Sequence, residues 1–153
     1  MLATKVMRRS FATISPTTSL VEAARLLLET NQRGLPVLDK DGKLVGILSE
    51  GDLLHRVELG VAPPAGNWLE QLLGAEEGGP ARERMQTLSV ATIMTKDPVC
   101  INEKATVNDV ISAMDRRGVA QVPVVSEGKV VGIVSRFELL VALERSLSPH
   151  GEG

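Results

Sequence analysis

The chain has 153 residues, of which 43% are hydrophobic and 24% charged, enough for a compact fold with an ordinary core. Lys and Arg number 17 against 19 Asp and Glu, and this near balance argues against nucleic acid as a partner. The only cysteine, Cys100, excludes an intramolecular disulfide and favours a reducing, cytoplasmic location. No apolar run reaches the length of a signal peptide or a membrane span, so we expect no membrane contact.

The first elements lie between residues 12 and 59. An extended piece is predicted at 12–15, and a helix follows because apolar residues recur at helical spacing from Leu20 to Leu28. Ser19 and Glu22 have the spacing of a capping box at its start. Strands are predicted at 35–38 and 44–48 around a glycine turn, and a last helix at 50–59.

The same elements return in the second half of the chain. A shift of 87 positions places Leu35-Pro36-Val37 on Val122-Pro123-Val124, and after a one-residue deletion Val45-Gly46-Ile47 lies on Val131-Gly132-Ile133. The pattern predicts an extended piece at 99–102, a helix capped by Thr106, strands at 122–125 and 130–134, and a helix at 136–147. The chain is therefore an internal duplication of one β-α-β-β-α unit.

The segment 60–88 between the copies has the Gly, Pro, Ala and Glu content of an exposed linker. Trp68, Leu69, Leu72 and Leu73 could form a short amphipathic helix there, which either covers the adjacent core or contacts a second subunit. The tail 148–153 is expected to fray.

Residues for catalysis are scarce. The two histidines, His55 and His150, suggest neither a metal site nor a Ser-His-Asp arrangement, and no glycine-rich phosphate loop is present. Cys100 lies in an extended piece where we expect a small buried residue, not a nucleophile. We predict no enzymatic activity, no metal site and no required cofactor.

A hydroxyl precedes a carboxylate by three positions after the last strand of both copies, as Ser49 with Asp52 and Ser135 with Glu138. This spacing is that of a capping box, which would only start a helix. It also suits a binding site, because the N-terminus of a helix and a serine hydroxyl can hold a phosphate while the carboxylate accepts hydrogen bonds from ribose. Both interpretations stay open.

The sequence resembles tandem cystathionine beta-synthase (CBS) domains, a pair called a Bateman module. The resemblance rests on the paired Leu-Pro-Val strand, the glycine turn, the Val-Gly-Ile strand and Ser-x-x-Asp, together with the Ile-Met-Thr start at Ile93. The resemblance covers residues 6–56 and 93–143. It implies a mixed α/β fold of tandem β-α-β-β-α repeats packed with pseudo-twofold symmetry, with domains at 6–59 and 93–147. It also implies two clefts for an adenosine ligand such as AMP, ADP, ATP or S-adenosylmethionine.

The resemblance assigns nucleotide-binding residues to each cleft. The first set comprises Thr13 and Ile14 beside the base, Gly34, Leu35 and Pro36 at its edge, and Ser49 and Asp52 for phosphate and ribose. The second set comprises Cys100, Ile101, Gln121, Val122, Pro123, Ser135, Arg136 and Glu138. Further candidates for phosphate contact are Arg33, Lys96, Arg116 and Arg117. Because Glu138 replaces the expected aspartate and displaces the carboxylate, we expect the second cleft to bind more weakly.

The resemblance favours a regulatory sensor that binds an adenine nucleotide and acts through an effector protein or a second subunit. The alternative is a structural dimerisation module without a ligand. We expect a homodimer in either case, formed through apolar stripes at Leu53, Leu54 and Val57 and at Leu139, Leu140 and Leu143.

Overall fold

The computed structural model describes residues 1–56 and 86–148. The chain divides into two compact units: the first unit comprises Ala12–Pro98, and the second unit comprises Met1–Phe11 with Val99–Gly153. The predictions for Trp68, Leu69, Leu72 and Leu73, for 57–59 and for 149–153 lie outside the described residues. Of the helices in the described ranges, none has both the length and the apolar character that crossing a membrane requires.

The first unit contains helix α1 (Leu20–Thr30), strands β1 (Gly34–Leu38) and β2 (Leu44–Ser49), a π-helix (Asp52–Arg56), helix α2 (Val90–Ile93) and strand β3 (Thr95–Lys96). The Ser19 hydroxyl accepts a hydrogen bond from Glu22 N–H at 3.2 Å, which starts α1 where the sequence predicts. The sheet has the order β1-β2-β3, and both pairings are antiparallel. Ile14 adds a parallel bridge to Val37.

The second unit contains a 3₁₀ turn (Ala3–Lys5), strand β4 (Ile101–Asn102), helix α3 (Val107–Arg117), strands β5 (Gln121–Ser126) and β6 (Lys129–Ser135), and helix α4 (Arg136–Leu147). Its sheet has the order β4-β5-β6, with β4 parallel and β6 antiparallel to β5. Arg8 adds an antiparallel bridge to Ile133. Both copies thus form a mixed α/β arrangement, as predicted.

The first residues of each copy, which we call its arm and which contain Arg8 in the first copy and Thr95 in the second, pair with the last strand of the other copy. In the first unit Thr95 pairs with Ile47, and in the second unit Arg8 makes the equivalent pair with Ile133. The domain boundaries 6–59 and 93–147 follow the sequence repeat and stay a prediction, whereas the compact units of the structure contain one exchanged arm each.

Each unit has its own apolar core, built mainly from the helix stripe and the central strands. The core of the first unit comprises Ile14, Leu20, Ala23, Leu27, Leu35, Val37, Leu48, Leu53, Val90, Ile93 and Met94. The core of the second unit comprises Ala3, Met7, Val110, Met114, Val122, Val124 and Val134. Leu28 was expected in the stripe of α1 but is 83% exposed, because it lies at the edge of that stripe.

The hairpin turns explain the one-residue deletion. In the first copy Asp39 Oδ1 accepts from the N–H groups of Asp41 and Lys43, both at 2.9 Å, which closes a longer loop. In the second copy Glu127 and Gly128 both have positive φ, 52° and 80°, which suits a two-residue hairpin turn. The second copy therefore has a shorter turn, and each strand of its hairpin is one residue longer than its counterpart in the first copy.

The helix predicted at 50–59 differs from the structure in type. It begins at Glu50 and continues as a π-helix from Asp52 to Arg56, with 57–59 outside the described residues. Apolar spacing over so few residues cannot distinguish the wider π-helical turn from an α-helix. The counterpart α4 is an ordinary α-helix with the predicted bounds.

The capping box of α3 leads to a prediction about pH. Thr106 N–H donates to Asp109 Oδ2 at 2.9 Å, and Asp109 N–H donates to Thr106 Oγ1 at 3.2 Å. The backbone hydrogen bond from Thr106, together with its side chain, lowers the pKa of the Asp109 carboxyl. A lowered pKa in the folded state adds stability above the unfolded-state pKa, and this stability is lost as the pH falls through the folded-state pKa.

We therefore expect the wild type to have a higher melting temperature than Asp109→Asn near neutral pH. The difference in melting temperature should shrink as the pH falls from about 6 to about 3. Melting curves of both proteins over this range, followed by circular dichroism, measure it. A difference that stays constant with pH would contradict the assignment, because asparagine keeps the acceptor and lacks only the charge.

Candidate functional site

The first set of predicted site residues is spread along β1 and the extended piece beside it, and Ser49 and Asp52 lie at the Gly34 end of that strand. Gly34 lies opposite Ser49 in the β1-β2 pairing. Ile14 N–H donates to Pro36 O at 3.0 Å, which fixes the extended piece beside β1. The side chains of Ile14 and Leu35 are buried in the core, so these positions can offer a ligand only their backbone, whereas Thr13 is exposed.

Asp52 is a buried polar group at this end of the sheet. Its residue is only 6% exposed, and Oδ2 accepts from Ser49 N–H at 2.9 Å. In return Asp52 N–H donates to Ser49 Oγ at 3.1 Å, which completes a reciprocal cap. The Thr95 hydroxyl, from the arm of the second copy, donates to Oδ1 at 3.2 Å and lies 3.3 Å from Oδ2. The capping interpretation is therefore correct, and it leaves the binding interpretation open.

The positive charges near this site differ in availability. Arg33 forms an ion pair with Glu50, with Nη1 and Oε1 2.9 Å apart and both side chains about half exposed. Lys96 is exposed at the end of β3. Because Glu50 already pairs with Arg33, Lys96 is the better placed candidate in this unit for contact with an anion.

The equivalent end of the second unit has a different carboxylate. Gln121 lies opposite Ser135, and Glu138 Oε1 accepts from both Ser135 N–H at 2.7 Å and the Ser135 hydroxyl at 2.6 Å. The extra methylene of Glu138 lets its carboxylate fold back onto the serine. The Ser135 hydroxyl thus donates to Glu138 while it accepts from Phe137 N–H at 3.2 Å, and the Ser49 hydroxyl accepts from Asp52 N–H.

The other members of the second set are divided between core and surface. Val122 and Pro123 are buried in β5, Ile101 is half-buried, and Arg136 is exposed at the first turn of α4. Arg116 and Arg117 are exposed in the last turn of α3.

The expectation that Cys100 is buried is wrong. The residue is exposed, like its counterpart Thr13, because both directly precede the residue that bridges to the central strand. Partial burial of its sulfur nevertheless raises the pKa of the thiol, because burial disfavours the charged thiolate.

A cavity in the first unit lies away from the Ser49 and Asp52 cap. Its volume is about 610 Å³, and it is lined by Thr13 and Ile14 and by residues at the end of β1, Leu38 and Asp39. Ser49 pairs with the opposite end of that strand. In the described ranges, His, Cys, Asp and Glu form no group that could hold a metal ion.

Sequence analysis missed two residues that shape the first site. Thr95 belongs to the Ile-Met-Thr start of the second copy, and nothing local indicates that this start lies beside Asp52. Gln32 is buried. Its side-chain oxygen accepts a hydrogen bond from Ala12 N–H at 2.6 Å, and its side-chain nitrogen donates one to Gly34 O at 3.0 Å. Its counterpart in the second copy is Val119, so the repeat gave no signal for this role.

Two duplicated units, each with a Ser-x-x-acid helix start beside a short sheet, define a tandem CBS-domain protein. The family model of the CBS domain matches residues 3–59 and 90–145, so this chain belongs to the CBS domain family.

Among its relatives, protein MJ1426 of Methanocaldococcus jannaschii is 33% identical over 135 residues, which cover 81% of this chain and 80% of that one. The chloroplastic CBS domain-containing protein CBSX1 of Arabidopsis thaliana is 33% identical over 144 residues, covering 84% of this chain and 57% of CBSX1. The crystal structure of CBSX2 in complex with AMP superposes with a TM-score of 0.71 at 25% identity, covering 96% of this chain and 98% of that one.

Proposed function

We propose that this protein is a regulatory module that binds an adenosine nucleotide in the first unit and acts through an effector protein or a second subunit. The observation that carries the proposal is the buried carboxylate of Asp52, held in one orientation beside the Ser49 hydroxyl. The similarity to CBSX2, which was crystallised with AMP, supports an adenosine ligand.

The geometry suggests a role for each group. The Asp52 carboxylate would accept hydrogen bonds from the paired ribose hydroxyls, which are strong because the acceptor is charged. The Ser49 hydroxyl and the helix start after it would hold the phosphate, with Lys96 nearby on β3. The base would lie against the exposed Thr13 and the backbone of 34–36. None of these roles needs a metal or another cofactor, and we expect no turnover of the nucleotide.

A thermal-shift screen with AMP, ADP, ATP, S-adenosylmethionine and NAD tests the proposal. A ligand at about 100 times its dissociation constant stabilises a protein by about 2.7 kcal/mol, which is easily detected. We expect at least one adenosine ligand to raise the melting temperature. No shift with any of them, at millimolar concentration, would favour the alternative of a structural module.

A separate observation favours self-association. Helix α4 exposes Leu140 (62%) and Leu143 (54%), and these residues line an apolar groove of about 450 Å³ between α3 and α4. Leu139 packs partly against the core of the second unit and also lines this groove, whereas Leu53 is only 8% exposed and is therefore not available for the predicted dimer stripe. Val57 lies outside the described residues. We propose a homodimer that uses the exposed face of α4.

We expect the wild type to sediment as a dimer at micromolar concentration and Leu140→Glu to sediment as a monomer. A charge in the centre of an apolar contact would lose its hydration without gaining a partner. Leu28→Glu, at an exposed leucine of the first unit, is the matched control and should stay dimeric. A monomeric wild type, with or without nucleotide, would refute the dimer.

A further inference from the structure

We propose that Thr95 is a positioning residue that holds the Asp52 carboxylate in the orientation required by a ribose with both hydroxyls. This inference rests on the proposed function, because it assigns a role in the same site. It starts from the hydrogen bond between the Thr95 hydroxyl and Asp52, whose partners are 43 positions apart in the sequence.

The orientation of Asp52 is fixed from two sides. Ser49 N–H binds Oδ2 at 2.9 Å, and this bond alone leaves the carboxylate free to rotate about its last torsion. The Thr95 hydroxyl lies between the two oxygens, at 3.2 and 3.3 Å, and so opposes that rotation. A carboxylate can accept about four hydrogen bonds, so Ser49 and Thr95 can bind the group at the same time.

The fold determines where Thr95 lies. Thr95 is placed by its pairing with Ile47 in β2, two residues before Ser49. Gly46 makes this approach possible, because a side chain there would come within 3.0 Å of the Thr95 carbonyl oxygen. The arm of the second copy therefore contributes directly to the site of the first.

The described residues of the second unit contain no equivalent of the hydrogen bond between Thr95 and Asp52. Arg8 occupies the equivalent position beside Ile133, and its Nε donates to Ser10 O at 2.7 Å. Glu138 receives its hydrogen bonds from Ser135 instead. In the described residues, a threonine hydroxyl contacts the carboxylate of the Ser-x-x-acid pair in the first unit and not in the second, so discrimination of the ribose is expected in the first.

The test compares AMP with 2′-deoxy-AMP, which lacks one of the paired hydroxyls, by calorimetry. Thr95→Val keeps the shape and removes the hydroxyl, so we expect AMP affinity to fall about three- to tenfold. The affinity for 2′-deoxy-AMP should change less than about twofold, since that ligand depends less on the carboxylate orientation. Thr95→Ser should keep the wild-type preference for AMP. Thr92→Val, at an exposed threonine of α2, is the matched control.

The outcomes separate the two proposals. If the wild type binds neither nucleotide, the proposed function fails and the role of Thr95 fails with it. If the wild type binds AMP but Thr95→Val keeps its preference over 2′-deoxy-AMP, or weakens both ligands equally, only the positioning role is overturned. Thr95→Ser retains the hydroxyl and should therefore still prefer AMP over 2′-deoxy-AMP. If Thr95→Ser loses this preference, the inference is contradicted, and this test does not depend on Thr95→Val being stable.

Discussion

Replacing Asp52 with alanine is expected to weaken binding of an adenosine nucleotide about ten- to a hundredfold, whereas Glu138→Ala should change it little. Each charge-assisted hydrogen bond is worth about 1.5 to 3 kcal/mol, and the proposed site assigns the ribose hydroxyls to the Asp52 carboxylate. The Glu138 carboxylate is folded back onto Ser135 and would first have to release it. The first unit should therefore carry the tighter site.

Glu138→Ala is a close control for folding as well as for binding. Both carboxylates cap the helix that follows the last strand, so each substitution removes the same type of cap and should cost about 0.5 to 2 kcal/mol of stability. Isothermal calorimetry on both variants, below their melting temperatures, decides between the sites. Equal losses of affinity would contradict the assignment to the first unit, and a larger loss for Glu138→Ala would indicate the second unit.

Gly132→Ala is expected to lower the free energy of unfolding by about 1 to 3 kcal/mol, which corresponds to a melting temperature roughly 2 to 12 °C lower. A methyl group on Gly132 would overlap Met7 Sδ, lie 2.6 Å from Met7 Cγ and lie 3.1 Å from the Arg8 carbonyl oxygen. The Met7 side chain can move, but the backbone of Arg8 both donates a hydrogen bond to the backbone of Ile133 and accepts one from it. The arm would have to shift away from β6.

Two further variants give this experiment its control. Gly51→Ala adds a methyl group whose nearest neighbour is Ser49 Oγ at 3.6 Å, so it should cost nothing and could stabilise the helix start. Met7→Ala in the Gly132→Ala background should cost less than Met7→Ala alone, because the clash is removed together with the side chain. Additive losses, measured by chemical denaturation, would show that the arm does not pack on Gly132 in solution.

Local signals in the sequence were sufficient for most elements of the fold. Ser19 and Thr106 start helices because a short hydroxyl side chain satisfies backbone donors within three residues. The hairpins follow from apolar strands flanking turns with Gly42 and Gly128, both at positive φ. The duplication strengthened each of these assignments, since every element had a counterpart.

The errors concern contacts between residues far apart in sequence. The exposure of Cys100 and the burial of Leu53 depend on which strands and helices pack around them, and periodicity in a short segment does not give this. Thr95 approaches Asp52 only because β3 pairs with β2. The Gln32 amide likewise lies between Ala12 and Gly34 only because the extended piece at 12–15 lies beside β1. The sequence therefore predicted the carboxylate of the candidate site but not the groups that hold it in place.

The exchanged arms also bear on how the protein arose. A single-copy ancestor would have carried one arm and one strand equivalent to β2. If arms already paired only with the other copy, that arm would have needed the β2 strand of a second chain. Two such chains, each donating its arm to the other, would have formed a reciprocal dimer. Gene duplication then turns an intermolecular exchange into an intramolecular one. Expressing either half alone should restore the ancestral situation, with an unpaired strand edge that recruits a second molecule.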